Sequence, residues 1–157
     1  MESDTPARYS QAMSQENVEL VRQLIPDAQS DLVEVFSGQD RANLDAAIEA
    51  AGVAFTDDFV CVVHGISEEP RPGVRGLWQS WTDWLAPWES YRTEIEELIP
   101  VEDRVLALVR DFGRRPGMDT EIELLGSAVW TVRDGRIARA EFFTDRARAF
   151  EAAGLSN

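Results

Sequence analysis

Apolar residues recur at helical spacing in three stretches of the first third of the chain. The first stretch predicts a helix with Ser14 as its N-cap and an end before Pro26. Its apolar face consists of Val18, Leu20, Val21, Leu24 and Ile25. Two shorter helices are predicted from the segments SDLVEVF, which ends at Gly38, and NLDAAIEAA, which ends at Gly52. Residues 1–13 are expected to form a flexible tail, and residues 14–157 a single domain.

A fourth helix is predicted over residues 73–86, and it carries an aromatic stripe. Its apolar residues lie three or four positions apart along one helix face. They are Val74, Leu77, Trp78, Trp81, Trp84 and Leu85, followed by Trp88. Because Pro87 disfavours further helix, Trp88 is placed on the exit turn. We expect Trp78 to pack in the core, and Trp81, Trp84 and Trp88 to supply candidates for the wall of a binding pocket.

Strand patterns fill most of the remaining sequence. FVCVVH predicts a strand covered on both faces, and ISEEPRPGVRG reads as an irregular connection. Four alternating segments separated by turn signals predict an antiparallel meander: YRTEIEELI, RVLALVRDF, EIELLGSAVWTV and RIARAEFFT. A last helix begins with Asp145 as its N-cap and ends at Gly154. This order predicts an α+β fold with the helices on one face of a curved sheet.

Composition narrows the function classes. The net charge of −14 argues against binding to nucleic acid or to an anionic membrane surface. No apolar run is long enough to cross a bilayer, and no secretory signal is visible, so a cytoplasmic location is expected. The chain contains no Lys, one Cys and one His, which disfavours Schiff-base chemistry, a disulfide and a zinc site. We therefore expect a protein without cofactor or metal.

The Asp134-Gly135 turn predicts the register of the last hairpin. A two-residue turn would set Val132 opposite Ile137, Trp130 opposite Arg139, Ala128 opposite Glu141 and Gly126 opposite Phe143, all on one sheet face. Glu141 would then lie beside a small residue on the Trp130 face, where partial burial raises a carboxyl pKa and favours acid/base catalysis. The alternative is a simple Arg139–Glu141 pair on an exposed face.

Two further positions are candidates for the site. In RVLALVRDF the neighbours Arg110 and Asp111 point to opposite faces, and one is expected at the rim and the other at a pocket. Arg110 is the preferred binding residue, because its guanidinium can hold an oxygen anion with two hydrogen bonds. His64 ends the buried strand and is either a rim residue or a proton relay. Cys61 lies on the opposite face from His64 and is assigned to the core.

Several of these segments resemble the SnoaL-like polyketide-cyclase family of the nuclear transport factor two-like superfamily. They are MSQENVELVR, TDDFVCVVHG, RGLWQSWTDWL, RVLALVRDFGR and AVWTVRDGRIARAEFFTDRARAFEAAGL. The resemblance spans residues 13 to 155 and implies a cone in which a strongly curved antiparallel sheet wraps around helices and encloses a mostly apolar pocket. It also implies a homodimer formed through the sheet.

Members of the superfamily include cyclases, ketosteroid isomerases, dehydratases, limonene-type epoxide hydrolases and proteins without known activity. The isomerase base is absent at the matching Val63 and His64, and the hydrolase Arg-x-Asp pair is not matched by Arg110-Asp111. Among the positions that match the cyclases, Glu141 and Asp145 are carboxylates, and Asp145 is also the predicted helix cap.

Three functions are compatible with the sequence. The first is a cofactor-free isomerase, cyclase or dehydratase acting on an apolar, ring-sized carbonyl compound. The other two are a ligand-binding protein without turnover and a dimerisation module. The family resemblance adds a limonene-type epoxide hydrolase as a further alternative. The expected catalytic residues are Glu141, His64 and Arg110. The expected ligand-binding residues are Trp81, Trp84, Trp88, Trp130 and Phe143.

Overall fold

A computed structural model of the chain describes residues 4–37 and 41–155. These residues form five α-helices: α1 Asp4–Leu24, α2 Leu32–Ser37, α3 Arg41–Ala51, α4 Gly73–Leu85 and α5 Arg146–Ala152. A single 3-10 turn, Gly52–Ala54, follows α3. They also form six strands: β1 Phe55–His64, β2 Ser67–Pro72, β3 Ser90–Val101, β4 Arg104–Arg114, β5 Ile122–Arg133 and β6 Arg136–Phe143.

The six strands form one curved, open sheet in the order β2-β1-β6-β5-β4-β3. Strands β3 to β6 pair as the predicted antiparallel meander. Strand β1 pairs with β6 in parallel, so the sheet is mixed rather than wholly antiparallel. The predicted α+β class with a curved sheet against helices is confirmed.

Strand β2 was not expected, because its sequence SEEPRP is charged and contains two prolines. It forms the outer edge of the sheet and pairs only with β1. Proline is tolerated on an edge strand, because the side without a neighbouring strand needs no backbone N–H donor. The prediction of an irregular connection at residues 66–76 was therefore wrong for this segment.

Helix α1 begins at Asp4, so the helix extends N-terminal to the predicted cap at Ser14. Residues 4–13, which were predicted to be a flexible tail, belong to this helix, and residues 1–3 lie outside the described part of the chain. Helix α5 has the expected cap, because the Asp145 side chain accepts a hydrogen bond from the Ala147 N–H at 2.9 Å.

Two apolar layers cover the two faces of the sheet. On the concave face, α1 and α4 pack against a core of alternate strand residues that includes Val105, Ala107 and Trp130. On the convex face, α5 packs Ala149 and Ala153 onto a second cluster of intervening strand residues. This second cluster contains Leu106, Leu108, Val129 and Phe143. The prediction that all helices share one face was wrong for α5, because β4 is apolar on both sides.

A bulge changes the predicted register of the β5–β6 hairpin. Val132 pairs with Ile137 as expected, but the register shifts at the next pair. Trp130 consequently pairs with Ala140, and Glu141 pairs with Val129. The prediction that Glu141 shares a face with Trp130 was therefore wrong: one inserted residue moves Glu141 to the convex side.

Candidate functional site

A cavity of about 630 Å³ lies between the concave face of the sheet and helices α1, α2 and α4. The tryptophan stripe of α4 faces it because these residues repeat at helical spacing and α4 packs against β1. The lining includes nine aromatic residues: Phe36, Phe55, Trp78, Trp81, Trp84, Tyr91, Trp130, Phe142 and Phe143. Most of the wall is therefore apolar, and it can contact flat hydrocarbon rings.

The lining also contains a buried polar group formed by Tyr91, Thr93 and Asp111. Thr93 and Asp111 are cross-strand partners in β3 and β4, and Tyr91 lies two residues before Thr93. Asp111 is 7% exposed and Tyr91 1% exposed. The Tyr91 hydroxyl donates a hydrogen bond of 2.5 Å to Asp111 Oδ2. This group is the one place in the described cavity wall where a carboxylate and a hydroxyl are buried together.

The second oxygen of this carboxyl group, Asp111 Oδ1, is buried and has no hydrogen-bond partner among the described residues. A buried oxygen without a partner is costly, particularly when it carries charge. Burial accordingly raises the pKa of Asp111, although hydrogen bonds from Thr93 and Tyr91 and the charge of Arg146 oppose that increase. Asp111 is thus a cavity-lining residue whose carboxyl group has a raised pKa and one buried oxygen without a hydrogen-bond partner among the described residues.

Tyr91 is held as the hydrogen-bond donor in this pair. Burial, followed by the negative charge of Asp111, raises the pKa of Tyr91, and a hydrogen bond from Trp84 partly opposes that change. The Tyr91 ring also contacts Trp81, Trp84 and Trp88 edge-on at centroid distances of 5.4 to 6.5 Å. These contacts fix the phenol, so its hydroxyl stays directed at Asp111.

Three of the residues predicted to bind ligand, Trp81, Trp84 and Trp130, line this cavity from its concave side. Phe143 also touches the cavity at the end of β6, but its side chain packs in the apolar cluster on the convex face. Trp78, which was assigned to packing, also lines the cavity and contacts Phe36 at 4.4 Å. Trp88 does not line it. Instead, Trp88 packs over Gly113 and lines a separate groove of about 230 Å³.

The predicted choice of Arg110 over Asp111 was wrong for this cavity. Arg110 lies on the convex face, half-exposed, with ion pairs of 2.7 Å to Glu123 and 3.7 Å to Glu96. Asp111 takes the concave side because consecutive strand residues alternate between faces. The expectation that one of the two residues is at the rim and the other at the pocket is met, with the roles reversed.

His64 and Glu141 contact each other, but they are not among the residues that line the cavity. His64 Nε2 lies 3.2 Å from Glu141 Oε1, and Nδ1 lies 2.5 Å from Glu68 Oε2. Arg139 pairs with Glu141 at 3.1 Å, which is the alternative considered from the sequence. The His64 ring stacks on Phe143 at 4.4 Å. His64, Glu68, Glu141 and Arg139 thus form a cluster of polar side chains on the convex side of the sheet.

The chemistry-bearing residues that sequence reasoning did not select are Tyr91 and Thr93. The available signal was the alternation of β3, which places both on the same face at the start of the strand. Their connection with Asp111 depends on the β3–β4 register, which the pattern alone did not supply. Cys61 is buried in the core as predicted, and burial raises its pKa to about 11. Among the described side chains, no group of three potential metal ligands occurs.

The fold and cavity define an α+β protein with a curved mixed sheet that holds a mostly apolar chamber against its helices. The chain belongs to the SnoaL-like family: the family profile, described as a SnoaL-like domain, matches residues 31–140. The resemblance recognised in the sequence is therefore confirmed. A search of curated proteins found no match.

Solved structures with the same fold are distant in sequence. One is a putative SnoaL-like polyketide cyclase from Jannaschia sp. CCS1, with 16% identity, a TM-score of 0.61, and coverage of 91% of this chain and 94% of that one. Another is an LEH-like epoxide hydrolase from M. tuberculosis, with 16% identity, a TM-score of 0.54, and coverage of 88% and 90%.

A third is a hypothetical protein of ketosteroid isomerase-like fold from Catenulispora acidiphila, in complex with trimethylamine. Its identity is 18%, its TM-score is 0.51, and the coverage is 71% and 92%. At these identities the likenesses establish the fold and leave the reaction open. No helix within the described residues is long and apolar enough to cross a membrane.

Proposed function

We propose that this protein is a cofactor-independent acid/base enzyme of the isomerase, cyclase or dehydratase type. Its substrate is an apolar, ring-sized carbonyl compound bound in the cavity, and Asp111 exchanges a proton with it. The observation that carries this proposal is the buried, unpartnered Asp111 Oδ1 in an otherwise mostly apolar wall.

The two carboxyl oxygens of Asp111 have different roles in this proposal, because only one of them is bonded to Tyr91. Oδ2 accepts the Tyr91 hydrogen bond at 2.5 Å, which fixes the orientation of the carboxyl group. Oδ1 has no such bond and is the oxygen available to a ligand. As a carboxylate, Asp111 removes a proton from the carbon next to the ligand carbonyl, and as a carboxylic acid it returns that proton to the same or another carbon. In an isomerisation the proton stays on the ligand, and in a dehydration it leaves with the departing hydroxyl group as water, so neither reaction needs another reactant.

The raised pKa supports this role. A carboxylate whose pKa is raised by burial is a stronger base than one in water, and its acid form persists closer to neutral pH. An apolar wall also strengthens electrostatic interactions with the charge that develops on the substrate oxygen.

The size of the chamber supports a ring-sized ligand. Its volume of about 630 Å³ lies within the range of roughly 300–1,000 Å³ that is usual for small-molecule sites. Among proteins of the same fold, a solved structure contains a bound small molecule, trimethylamine. The aromatic residues of α4 suit a ligand with flat hydrocarbon surface rather than a sugar or a phosphate.

An epoxide hydrolase is less well supported. The resemblance implied an Arg-x-Asp pair in this strand, but the residue two positions before Asp111 is Val109. Both residues line the cavity, so an aliphatic side chain stands where the pair would require a guanidinium. A binding protein without turnover has the same pocket, and experiment must separate it from an enzyme.

Proton exchange with a bound ketone tests the proposal without knowledge of the natural substrate. The protein is incubated with 2-tetralone in D₂O, and deuterium entry at the carbons next to the carbonyl is followed by NMR. We expect exchange above the buffer rate. Asp111→Asn should still bind the ketone, as seen by tryptophan quenching, but should lower the catalysed exchange by ~10²–10⁴-fold.

Two further variants make the result specific. Asp58→Asn, which removes an exposed carboxylate paired with Arg133, should leave the exchange rate unchanged. Glu141→Gln distinguishes the two faces of the sheet: loss of exchange in this variant, with Asp111→Asn active, would return catalysis to the convex cluster. Binding of 2-tetralone without any catalysed exchange would favour the ligand-binding protein.

A further inference from the structure

We propose that Trp130 is a specificity-determining residue whose indole N–H donates a hydrogen bond to a second oxygen of the ligand, remote from Asp111. The inference rests on the proposed function and narrows its substrate class. The ligand becomes an elongated apolar compound of fused rings, with one oxygen at the reacting end and an acceptor oxygen at the other.

The indole nitrogen of Trp130 is a buried donor without a partner. Trp130 is 6% exposed, and its Nε1 has no hydrogen-bond partner among the described residues. An indole N–H can only donate, and buried tryptophans usually find an acceptor for it. Phe142 packs edge-on against the ring at 5.7 Å and offers no such acceptor. A polar partner is therefore missing from an otherwise well-packed position.

The position of Trp130 in the cavity wall connects this nitrogen with ligand binding. Four buried side-chain atoms lack partners in the described residues, and two of them belong to residues that line the cavity: Asp111 Oδ1 and Trp130 Nε1. The other two, Arg136 Nε and Arg146 Nε, belong to residues outside the lining. Two residues of the cavity wall thus each carry a buried polar atom without a partner among the described residues: an oxygen of Asp111 and the donor nitrogen of Trp130.

The strand register places Trp130 and Asp111 far apart along the sheet. Trp130 pairs with Val105, which is six residues before Asp111 on β4. At about 3.3 Å per residue, the two positions lie roughly 20 Å apart along the strand, although long side chains and sheet curvature shorten the gap between their polar atoms. A single ring that contacts Asp111 does not reach that far, whereas a row of fused rings bridges much of the distance.

Two steroid ketones that differ in one oxygen test this inference by isothermal titration calorimetry. 4-Androstene-3,17-dione has a carbonyl at each end of a rigid four-ring skeleton, and 4-androsten-3-one lacks the second one. We expect the wild-type protein to bind the diketone about three- to tenfold more tightly, the contribution of one neutral hydrogen bond. Trp130→Phe should bind the two compounds equally.

Trp88→Phe is the matched control, because it removes an indole that lies in the separate groove and not in the cavity lining. It should retain the preference for the diketone. If Trp130→Phe does not fold, benzothienylalanine at position 130 keeps the shape of the indole and lacks the N–H donor. Thermal unfolding of each variant shows whether the fold is retained.

The outcomes separate this inference from the proposed function. A diketone preference that survives both changes at position 130, or is absent in the wild type, overturns the role of Trp130 and leaves Asp111 untouched. A preference lost on substitution of Trp130, together with normal proton exchange in Asp111→Asn, supports Trp130 and overturns the catalytic role of Asp111. If neither steroid binds the wild-type protein, the inference is wrong.

Discussion

Replacing Tyr91 by phenylalanine removes one oxygen from the centre of the candidate site and changes little else. The ring is 1% exposed and packed edge-on against three indoles, so phenylalanine keeps the apolar contacts. The loss falls on Asp111, whose Oδ2 accepts the Tyr91 hydroxyl at 2.5 Å and whose Oδ1 already lacks a partner. The variant is left with a buried carboxyl group that has lost the hydrogen bond holding it in place.

The stability that Tyr91→Phe is expected to lose depends on the charge of Asp111. A hydrogen bond to an ionised group contributes about 1.5–3 kcal/mol, and a neutral one about 0.5–1.5 kcal/mol. For a chain of this length, 1 kcal/mol shifts the melting temperature by about 2–4 °C. Tyr91→Phe should therefore lower the melting temperature by about 3–12 °C at a pH where Asp111 is ionised, and by less where it is protonated.

The sign of the pH dependence follows from the direction of the Asp111 shift. Burial raises the pKa of Asp111, so the folded protein holds this proton at pH values where the unfolded chain, with a pKa of about 3.9, has released it. Its contribution to stability is thus largest below the unfolded pKa and is lost as pH rises through the folded pKa. The Tyr91 hydrogen bond opposes the shift, so its removal should increase that loss.

Urea unfolding of four proteins, measured from pH 4 to pH 8, tests this reasoning. They are the wild type, Tyr91→Phe, Asp111→Asn and the double variant. Exposed carboxylates with lowered pKa values, such as Asp58 and Glu68, are common to all four and cancel in the comparison. We expect a coupling free energy of about 1–2 kcal/mol between the two positions near neutral pH, and a smaller one at pH 4.

Equal destabilisation by Tyr91→Phe at pH 4 and pH 8 would refute the argument, because it would show that Asp111 keeps the same charge state throughout. A coupling energy near zero would show that the two side chains do not interact in solution. An Asp111→Asn variant that is less stable than the wild type by the same amount at every pH would also contradict a raised pKa.

Two other predictions concern packing and reactivity. Gly113→Ala should destabilise the fold by about 1–3 kcal/mol, because its Cβ would lie 2.5 Å from Trp88 Cε3 and the rigid, buried indole cannot yield easily. Thermal unfolding measures this effect. The control is Gly52→Ala, because a Cβ at Gly52 would meet no atom within 4 Å. Equal stability of the two variants would contradict the prediction. Cys61, whose pKa is raised to about 11 by burial, should react with DTNB at pH 7.5 about 10²-fold more slowly in the native protein than in urea. Equal rates would show that the thiol is not shielded.

The elements that the sequence predicted well are those whose own side chains decide their structure. Helix α4 is built from an apolar repeat, and Asp145 caps α5 through its own carboxylate. Strands β3 to β6 carry the alternation or apolar runs of a covered sheet. Local pattern was sufficient in these segments because burial and local hydrogen bonding favour the same conformation.

The sequence did not predict features that depend on a partner strand. Strand β2 has an unfavourable composition and exists because β1 offers it a free edge. The bulge in the last hairpin is absent from the pattern, since β6 has large residues on both faces. Helix α1 similarly includes residues that lack an apolar repeat. For β2 and for the bulge, contacts with a neighbouring strand outweigh the local signal.

For the candidate site, too, the local pattern predicts part of the arrangement, and contacts with other elements decide the rest. Alternation correctly placed Arg110 and Asp111 on opposite faces, but the choice between them depends on which face of the sheet receives α1 and α4. The bulge in the β5–β6 hairpin then decides on which face of the sheet Glu141 lies. Without it, Glu141 would share the concave face with Trp130; with it, Glu141 joins His64 behind the sheet, where Arg139 and His64 satisfy it. A carboxylate that is held by neighbouring side chains is less available for proton exchange with a ligand than one with a buried oxygen that lacks a partner. The sheet therefore separates Glu141, which has hydrogen-bond partners on the convex side, from Asp111, whose Oδ1 is buried without a partner among the described residues, and this difference is the reason that we propose Asp111 as the acid/base residue.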